Sequence, residues 1–430
     1  MTLRALVTPI FTKAAHFSSN KSLSCGTRSF KRSLFGLFRA NQGEISAKPI
    51  NIQTKWNDTV PRAFLLEKLD STTNGFVPLL LDQFDGYGFQ SASSGVAHGC
   101  VVIENQLYSW GSNYYGQVGQ TLEQPFVLLE DEDIDYVDKA HHVSTLENEN
   151  LLEVASGSFH NIVRSASGKA WAWGAGVLGL GDEIYDRIPK QIQFFDSIER
   201  FVERVYASSA YTIAIASPLS GGSKNQEVYL WGYYPTQSKN IRKSLLPSLV
   251  EHLYAVGRIE DIACGPRHFS AIVNKNENQS ILTFGSEDLE PLEVNIEKPY
   301  YPQYHETEVT GEVYSEQPLS RFSVAAALGN NAIIRQISAG IGYNVLLLGD
   351  NSAYITDIVG SNIFRLPLSE DIISVSAGTS HVAAISTSGN VYLLNISDLA
   401  SLTISKEPEL VLQKPGLSRI VCQWDRFLVY

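Results

Sequence analysis

Apolar residues along this chain gather in short runs, and the same phrase frames those runs again and again. In "NIVRSASGKAWAWG" (161–174) an apolar run meets a polar turn of Ser, Gly and Lys. A second run follows and closes on Trp-Gly. Short apolar runs bounded by turn residues read as β-strands, and two of them across a tight turn read as a hairpin. "FSAIV" (269–273) and "HVAAIS" (381–386) open hairpins of the same kind. Composition agrees, because Tyr and Phe total 39 against a single Met, and 32 glycines supply turns.

A small-Gly-x-x-His head precedes each hairpin, and a Trp-Gly tail ends it. Heads occur as "SSGVAH" (Gly95, His98), "ASGSFH" (Gly157, His160), "ASSAYT" (Ser209, Thr212), "ACGPRH" (Gly265, His268), "SAGIGY" (Gly340, Tyr343) and "SAGTSH" (Gly378, His381). An eroded seventh, "VCQWDR", aligns Cys422 with Cys264 and Phe427 with Phe269. Tails are "LYSWG" (Trp110, Gly111), "AWAWG" (Trp173, Gly174), "VYLWG" (Trp231, Gly232) and "ILTFG" (Gly285), then the degenerate "AYITD" and "VYLLN". Self-similarity of this kind marks a repeat architecture.

The seventh tail is missing at the carboxyl end, where the chain stops at Tyr430. A ring of sheets leaves exposed edges unless one blade is assembled from both termini. "INIQTKWN" (50–57), with Trp56-Asn57 in place of Trp-Gly, is the segment expected to complete the blade begun by 418–430.

These heads and tails resemble the regulator of chromosome condensation repeat family, over about residues 50–430. The closest phrases are "VASGSFHNIVRSASGKAWAWGAGVLGLGD" and "LYSWGSNYYGQVG". The resemblance implies an all-β fold, a seven-bladed β-propeller closed by pairing of N- and C-terminal strands. WD repeats, which end in Trp-Asp at a steadier period, match less well. The resemblance also implies two functions. Mitochondrial relatives are linked to assembly of respiratory-chain complexes or mitochondrial ribosomes, whereas the founding member exchanges guanine nucleotide on the Ran GTPase.

The repeat changes how the histidines read. Equivalent positions in successive blades spread around an axis, and they cannot converge to within ~2 Å of one zinc ion. Each is expected to tie its own blade's turn by hydrogen bonds, with the head glycines marking places where only a missing Cβ fits. The tryptophans are expected to pack the blades, their indole N–H groups needing partners. No catalytic, cofactor or metal motif stands out. Gly168-Lys169 lacks the rest of a phosphate loop, GxSxG and HExxH are absent, and the four cysteines form no CxxC.

Charge divides the chain. Residues 1–43 hold seven Lys or Arg and no acid, so the remainder carries −19 against −12 for the whole. Phe30, Leu34, Leu37 and Phe38 fall on one face of a helix, with Arg28, Lys31, Arg32 and Arg39 on the other. A disordered basic tail or a nucleic-acid-binding arm shares the composition, but the apolar stripe favours a mitochondrial transit peptide. No apolar run is long enough to span a membrane, which leaves a matrix protein or one peripheral to the inner membrane.

Two segments interrupt the repeat, and both are acidic. Head-to-tail units are separated by 46 residues after Gly111 and 55 after Gly285. Residues 121–153 contain ten acids, including Glu130, Asp131, Glu132, Asp133, Asp135 and Asp138, against one Lys. Residues 286–320 contain nine against one, interleaved with Tyr300, Tyr301, Tyr304 and Tyr314. Such insertions are either solvated loops or a binding surface. As a surface they fit a protein with a basic face, such as an assembly component or a GTPase, and disfavour direct contact with nucleic acid.

Overall fold

The computed structural model describes residues 47–49, 60–67, 77–120, 136–182, 185–220, 226–237, 241–287, 307–309, 313–329, 332–398, 401–404, 407–423 and 426–430. Seven antiparallel sheets follow one another along the chain and close into a ring, a seven-bladed β-propeller. Blade 1 comprises Ser91–Ser94, His98–Ile103, Gln106–Ser112 and Tyr136–His142, and blades 2 to 6 repeat that inner-to-outer order. The innermost strand of each blade touches that of the next, including blade 7 against blade 1. They surround an axial channel of about 210 Å³, lined by Ser93, Ser156, Ser208, Cys264, Ser338, Ser376 and Cys422 among others.

Strand alternation buries both faces of every blade, and the apolar core is divided among the joints. One cluster joins blades 1 and 2 through Val102, Leu107, Val154 and Trp173. Another joins blades 3 and 4 through Ile213, Leu230, Ile262 and Phe284. A blade cannot bury its own faces, so only the closed ring is stable.

Blade 7 is built from both ends of the described chain, as expected, but not from the expected segment. Phe64, Leu65 and Leu66 pair with Val429, Leu428 and Phe427. Val77–Leu81 and then Ala47–Pro49 extend the sheet outward. Residues 51–59, including Trp56 and Asn57, lie outside the described residues. The Trp-Asn resemblance misled because closure needs an apolar strand between two blades. "AFLL" (63–66), at most 4% exposed, supplies it.

The direction of the strands sorts the connections. Inner strands run up to the head turns, so the link from third to fourth strand also lies on the upper face. The hairpin turns, such as Glu104-Asn105, and the links between blades lie on the lower face.

A polar tier near the lower mouth locks the inner strands together. A β-bulge in blades 2 to 6 re-aims one side chain per blade toward its neighbour. Glu153 accepts from the Val205 amide at 3.3 Å and meets Arg204 at 3.2 Å, and Arg204 reaches Asp261 at 3.3 Å. Gln336 brackets the Val375 backbone at 2.8 and 3.1 Å, and Ser374 accepts from the Ile420 amide at 3.2 Å.

Candidate interaction face

On the upper face each head is a tight turn closed by one hydrogen bond. The Gly95, Gly157, Gly265, Gly340 and Gly378 amides donate to the carbonyls of His98, His160, His268, Tyr343 and His381 at 2.8–2.9 Å. The third head has a register one residue earlier than the sequence suggested. Ser208 donates to the Tyr211 carbonyl, and Tyr211 pairs with Gly232 as His160 does with Gly174. The "AS" of "ASSAYT" aligns equally well in two registers, and the strand pairing selects the one without a histidine match.

Three of the four histidines reach across to the following blade instead of tying their own turns; His381 meets Ser380 of its own turn, Nδ1 to Oγ at 3.0 Å. His98 Nε2 lies 2.9 Å from Asn161 Oδ1, His160 Nε2 2.9 Å from Thr212 Oγ1, and His268 Nε2 3.0 Å from Asn344 Oδ1. Asn161 is held in orientation by its amide donating to the Gln117 carbonyl at 2.9 Å, so His98 must be the donor. Tyrosine does the same job elsewhere. Tyr211 donates to the Gly265 and His268 carbonyls, and Tyr343 to those of Gly378 and His381. Arg426, the seventh equivalent, donates to the Val96 carbonyl at 3.3 Å and makes the same reach from blade 7 to blade 1.

Burial holds the His98, His160 and His268 imidazoles down to about 4, so all three are neutral at physiological pH. Each is a stapling group between blades. Among the described residues no three His, Cys, Asp or Glu side chains approach closely enough to hold a metal ion.

The glycines serve the same joints. A Cβ on Gly157 would stand 2.1 Å from the His160 ring and 2.4 Å from the Ser208 carbonyl oxygen of the next blade. Gly95, Gly265 and Gly340 meet the carbonyls of Gly157, Gly340 and Gly378 in the same way. Tail glycines differ. Gly111, Gly174, Gly232 and Gly285 have φ of +98 to +119° and let the chain turn over the preceding head. Trp110 packs at the joint of blades 7 and 1, Trp173 at that of 1 and 2, and Trp231 at that of 2 and 3. Trp173 donates to the Gln117 carbonyl at 2.9 Å, but the Trp231 indole N–H has no partner among the described residues.

The candidate acidic surface is placed only in part. Glu130, Asp131, Glu132, Asp133 and Asp135 lie outside the described residues, as do Tyr300, Tyr301 and Tyr304. Asp138 lies on the outer strand of blade 1, in a segment the sequence assigned to the insertion. The insertion is narrower than 121–153, because Tyr136–His142 completes blade 1 and Leu151–Ser156 begins blade 2. Glu147 sits on the lower face and Glu153 in the polar tier, so neither belongs to an upper-face loop.

The second insertion also folds back in part. Thr307–Val309 adds a fifth, parallel strand to blade 3 along Arg242–Ser244. Tyr314 bridges Val250 and is 2% exposed, edge-on to Tyr234 at 5.3 Å and 79°. It is core, not interface. Both insertions nonetheless leave and rejoin the described structure at links between third and fourth strands, so the points where they depart share the upper face.

The sequence reading missed two exposed tyrosines on that face. Tyr114, in the link of blade 1, is 49% exposed, and Tyr185, in the link of blade 2, is 55% exposed.

Comparison with known proteins agrees with this architecture. No family model matches the chain. It is 22% identical to the ultraviolet-B receptor UVR8 of Arabidopsis thaliana over 337 residues, which cover 73% of this chain and 67% of that one. Matches to other relatives are partial, spanning 36% of the Candida albicans RCC1 protein and 4% of the human ubiquitin ligase HERC2. Among solved structures, human WBSCR16 superimposes with a TM-score of 0.59 at 15% identity, covering 86% of this chain and 98% of that one. Prp20p of Saccharomyces cerevisiae, whose binding to Gsp1p and histones accompanies its structure, gives 0.58 at 15%, over 87% and 92%. In sequence and in fold, the chain resembles RCC1-type propellers.

Proposed function

We propose that this protein is a non-enzymatic scaffold that docks partner proteins on its upper face and works inside mitochondria. The observation that carries the docking is geometric. Two acid-rich insertions, far apart in sequence, issue from the same face of a ring whose blades are stapled to one another. A rigid disc from whose one side both acid-rich segments depart suits a partner with a basic surface. Among the described residues no helix is long and apolar enough to cross a membrane. The acid-free, basic amino terminus supports mitochondrial import, at the matrix or the matrix face of the inner membrane. Assembly of a respiratory-chain complex or of the mitochondrial ribosome is the task we assign.

The experiment is proximity labelling in cells with the intact chain and with one lacking residues 1–43. The intact chain should label mitochondrial assembly factors, and the shortened one should stay outside. Nuclear labelling by the intact chain would defeat the proposal. Replacing Glu130, Asp131, Glu132 and Asp133 by Gln and Asn should leave import and folding intact and reduce partner recovery most at low salt.

A second reading, nucleotide exchange on a GTPase, is favoured by the likeness to Prp20p, which binds Gsp1p. Exchange needs no catalytic motif, only an element that displaces nucleotide. Faster release of labelled GDP from a mitochondrial GTPase on addition of this protein would establish it.

A further inference from the structure

Tyr114 is presented in a way its neighbours are not. The turn "SNYYGQVG" (112–119) is clamped from within. The Asn113 side chain accepts from the Val118 amide at 3.0 Å, the Gln117 side chain from the Tyr115 amide at 2.8 Å, and the Gly116 amide donates to the Asn113 carbonyl at 2.8 Å. Tyr115 is buried against Phe159, with ring centres 5.4 Å apart, and Tyr114 stands edge-on to Tyr115 at 4.7 Å and 84°. An exposed ring is therefore held by a rigid base, and using it in an interface forfeits little conformational freedom.

The base rests on blade 2 at the foot of the second exposed tyrosine. A Cβ on Gly116 would stand 2.5 Å from the Arg187 Cα, so the two links touch, with Tyr114 and Tyr185 each two residues from that contact. Asp182, three residues before Tyr185, is exposed, Lys190 is engaged by Asp186 at 2.5 Å, and Arg187 is half-buried. The acidic insertion leaves this turn at Gln120, one residue after Gly119. Nothing in the packing of the ring calls for the two exposed rings. The corresponding link of blade 2 reaches the same tryptophan contact at Gly179 by a shorter path, without a tyrosine pair.

We propose that Tyr114 and Tyr185 form an aromatic platform for an arginine-bearing segment of the partner, beside the acidic insertion of blade 1. The idea rests on the docking reading above and narrows it to one chemistry. Acidic loops attract lysine and arginine alike. An exposed aromatic face discriminates, because the planar guanidinium stacks on it while ammonium stays hydrated.

The test uses oligo-arginine and oligo-lysine peptides of equal length, titrated against the full chain by fluorescence anisotropy at low and physiological salt. Arginine should bind about 3–10-fold more tightly than lysine, a ratio that persists as salt rises. Tyr114→Ala with Tyr185→Ala should erase the ratio without moving the melting temperature, and the two Phe substitutions should keep it. Equal affinity of the wild type for both peptides, or a preference surviving the Ala pair, overturns the platform. The neutralised insertion (Glu130→Gln, Asp131→Asn, Glu132→Gln, Asp133→Asn) separates the two ideas. It should weaken both peptides equally. An unchanged affinity there defeats the acidic-loop reading while the arginine preference stands.

Discussion

The joints between blades 1, 2 and 3 and the seam between blades 7 and 1 do the same work with different residues. At the first, the repeat is written out in full. His98 reaches Asn161, His160 reaches Thr212, the head glycines admit the next carbonyl, and Trp173 and Trp231 fill the joints. At the seam the motif has eroded. Arg426 stands where histidine would and donates to Val96, and the polar tier has Ile420, which offers no side-chain bond. Tyr430 compensates. Its hydroxyl is met by the Arg419 side chain and by the Ala92 amide, and its ring lies 5.0 Å from Phe89. The repeat motif thus encodes joints rather than blades. Where it fades, the joint survives if some other residue bonds across it.

The largest effect should come from breaking the seam itself. Of the described residues, a chain starting at residue 60 loses only the three-residue edge strand Ala47–Pro49, and it should fold. A chain starting at 77 loses Phe64, Leu65 and Leu66, none more than 4% exposed. Deleting buried side chains of that size costs about 2–5 kcal/mol each, which together rivals the whole stability of a typical domain. That chain should be insoluble or molten, as read by circular dichroism. A cooperative melt near that of the chain starting at 60 would mean the ring does not depend on this closure.

Acid should separate the two regions next. The folded imidazoles of His98, His160 and His268 sit at about 4, below the ordinary value of 6.5. The unfolded chain therefore binds more protons than the folded one between those values. The stability they contribute is present above about pH 6.5 and is lost as pH falls toward 4. At pH 5 the loss is about 2 kcal/mol per ring. Among the described residues the seam adds no further histidine of this kind, although its Arg426 joins burial in holding His98 down. Urea titrations from pH 7.5 to 5 should show falling stability whose slope shrinks in His98→Gln and His268→Gln. A slope unchanged in both variants would place the acid sensitivity elsewhere.

At neutral pH a single staple is worth less. His160→Ala should cost about 1–3 kcal/mol, because it strands buried polar partners. Metal content should not change, and stoichiometric zinc in the wild type would contradict the stapling role. Gly157→Ala should cost at least as much, since its Cβ would meet backbone of the next blade as well as the imidazole.

The ring and its repeats were legible in the sequence because each joint needs the same shapes at the same spacing, so the pattern recurs. What the repeat did not encode was harder to read. Closure by Phe64–Leu66 carries no Trp-Gly, only a short apolar run. The third head hid its register behind two serines, and the histidines' reach into the next blade is a tertiary fact that no spacing within one repeat reveals. Tyr314 looked like part of an interaction loop because its neighbours are acidic, yet it fills a joint. Tyr114 lay inside a phrase already explained as repeat, so its exposure was not sought.

The smallest effect tests the compensation at the seam. Tyr430→Phe removes the hydroxyl that meets the Ala92 amide and keeps the ring against Phe89. The apolar cluster of Leu65, Leu81, Val101, Trp110 and Leu428 stays intact, so no cavity opens. The loss should be about 0.5–1.5 kcal/mol, the net worth of one hydrogen bond. At the joint of blades 5 and 6 Tyr343→Phe removes a hydroxyl that meets two carbonyls, within a fully buried side chain. It leaves two buried acceptors wanting, whereas of the donors at Tyr430 the Arg419 side chain is exposed and can turn to water, so it should cost more. If Tyr430→Phe is silent in urea unfolding while Tyr343→Phe is not, apolar packing alone holds the seam. The last tyrosine is then a lid on that cluster rather than a substitute for the missing polar staple.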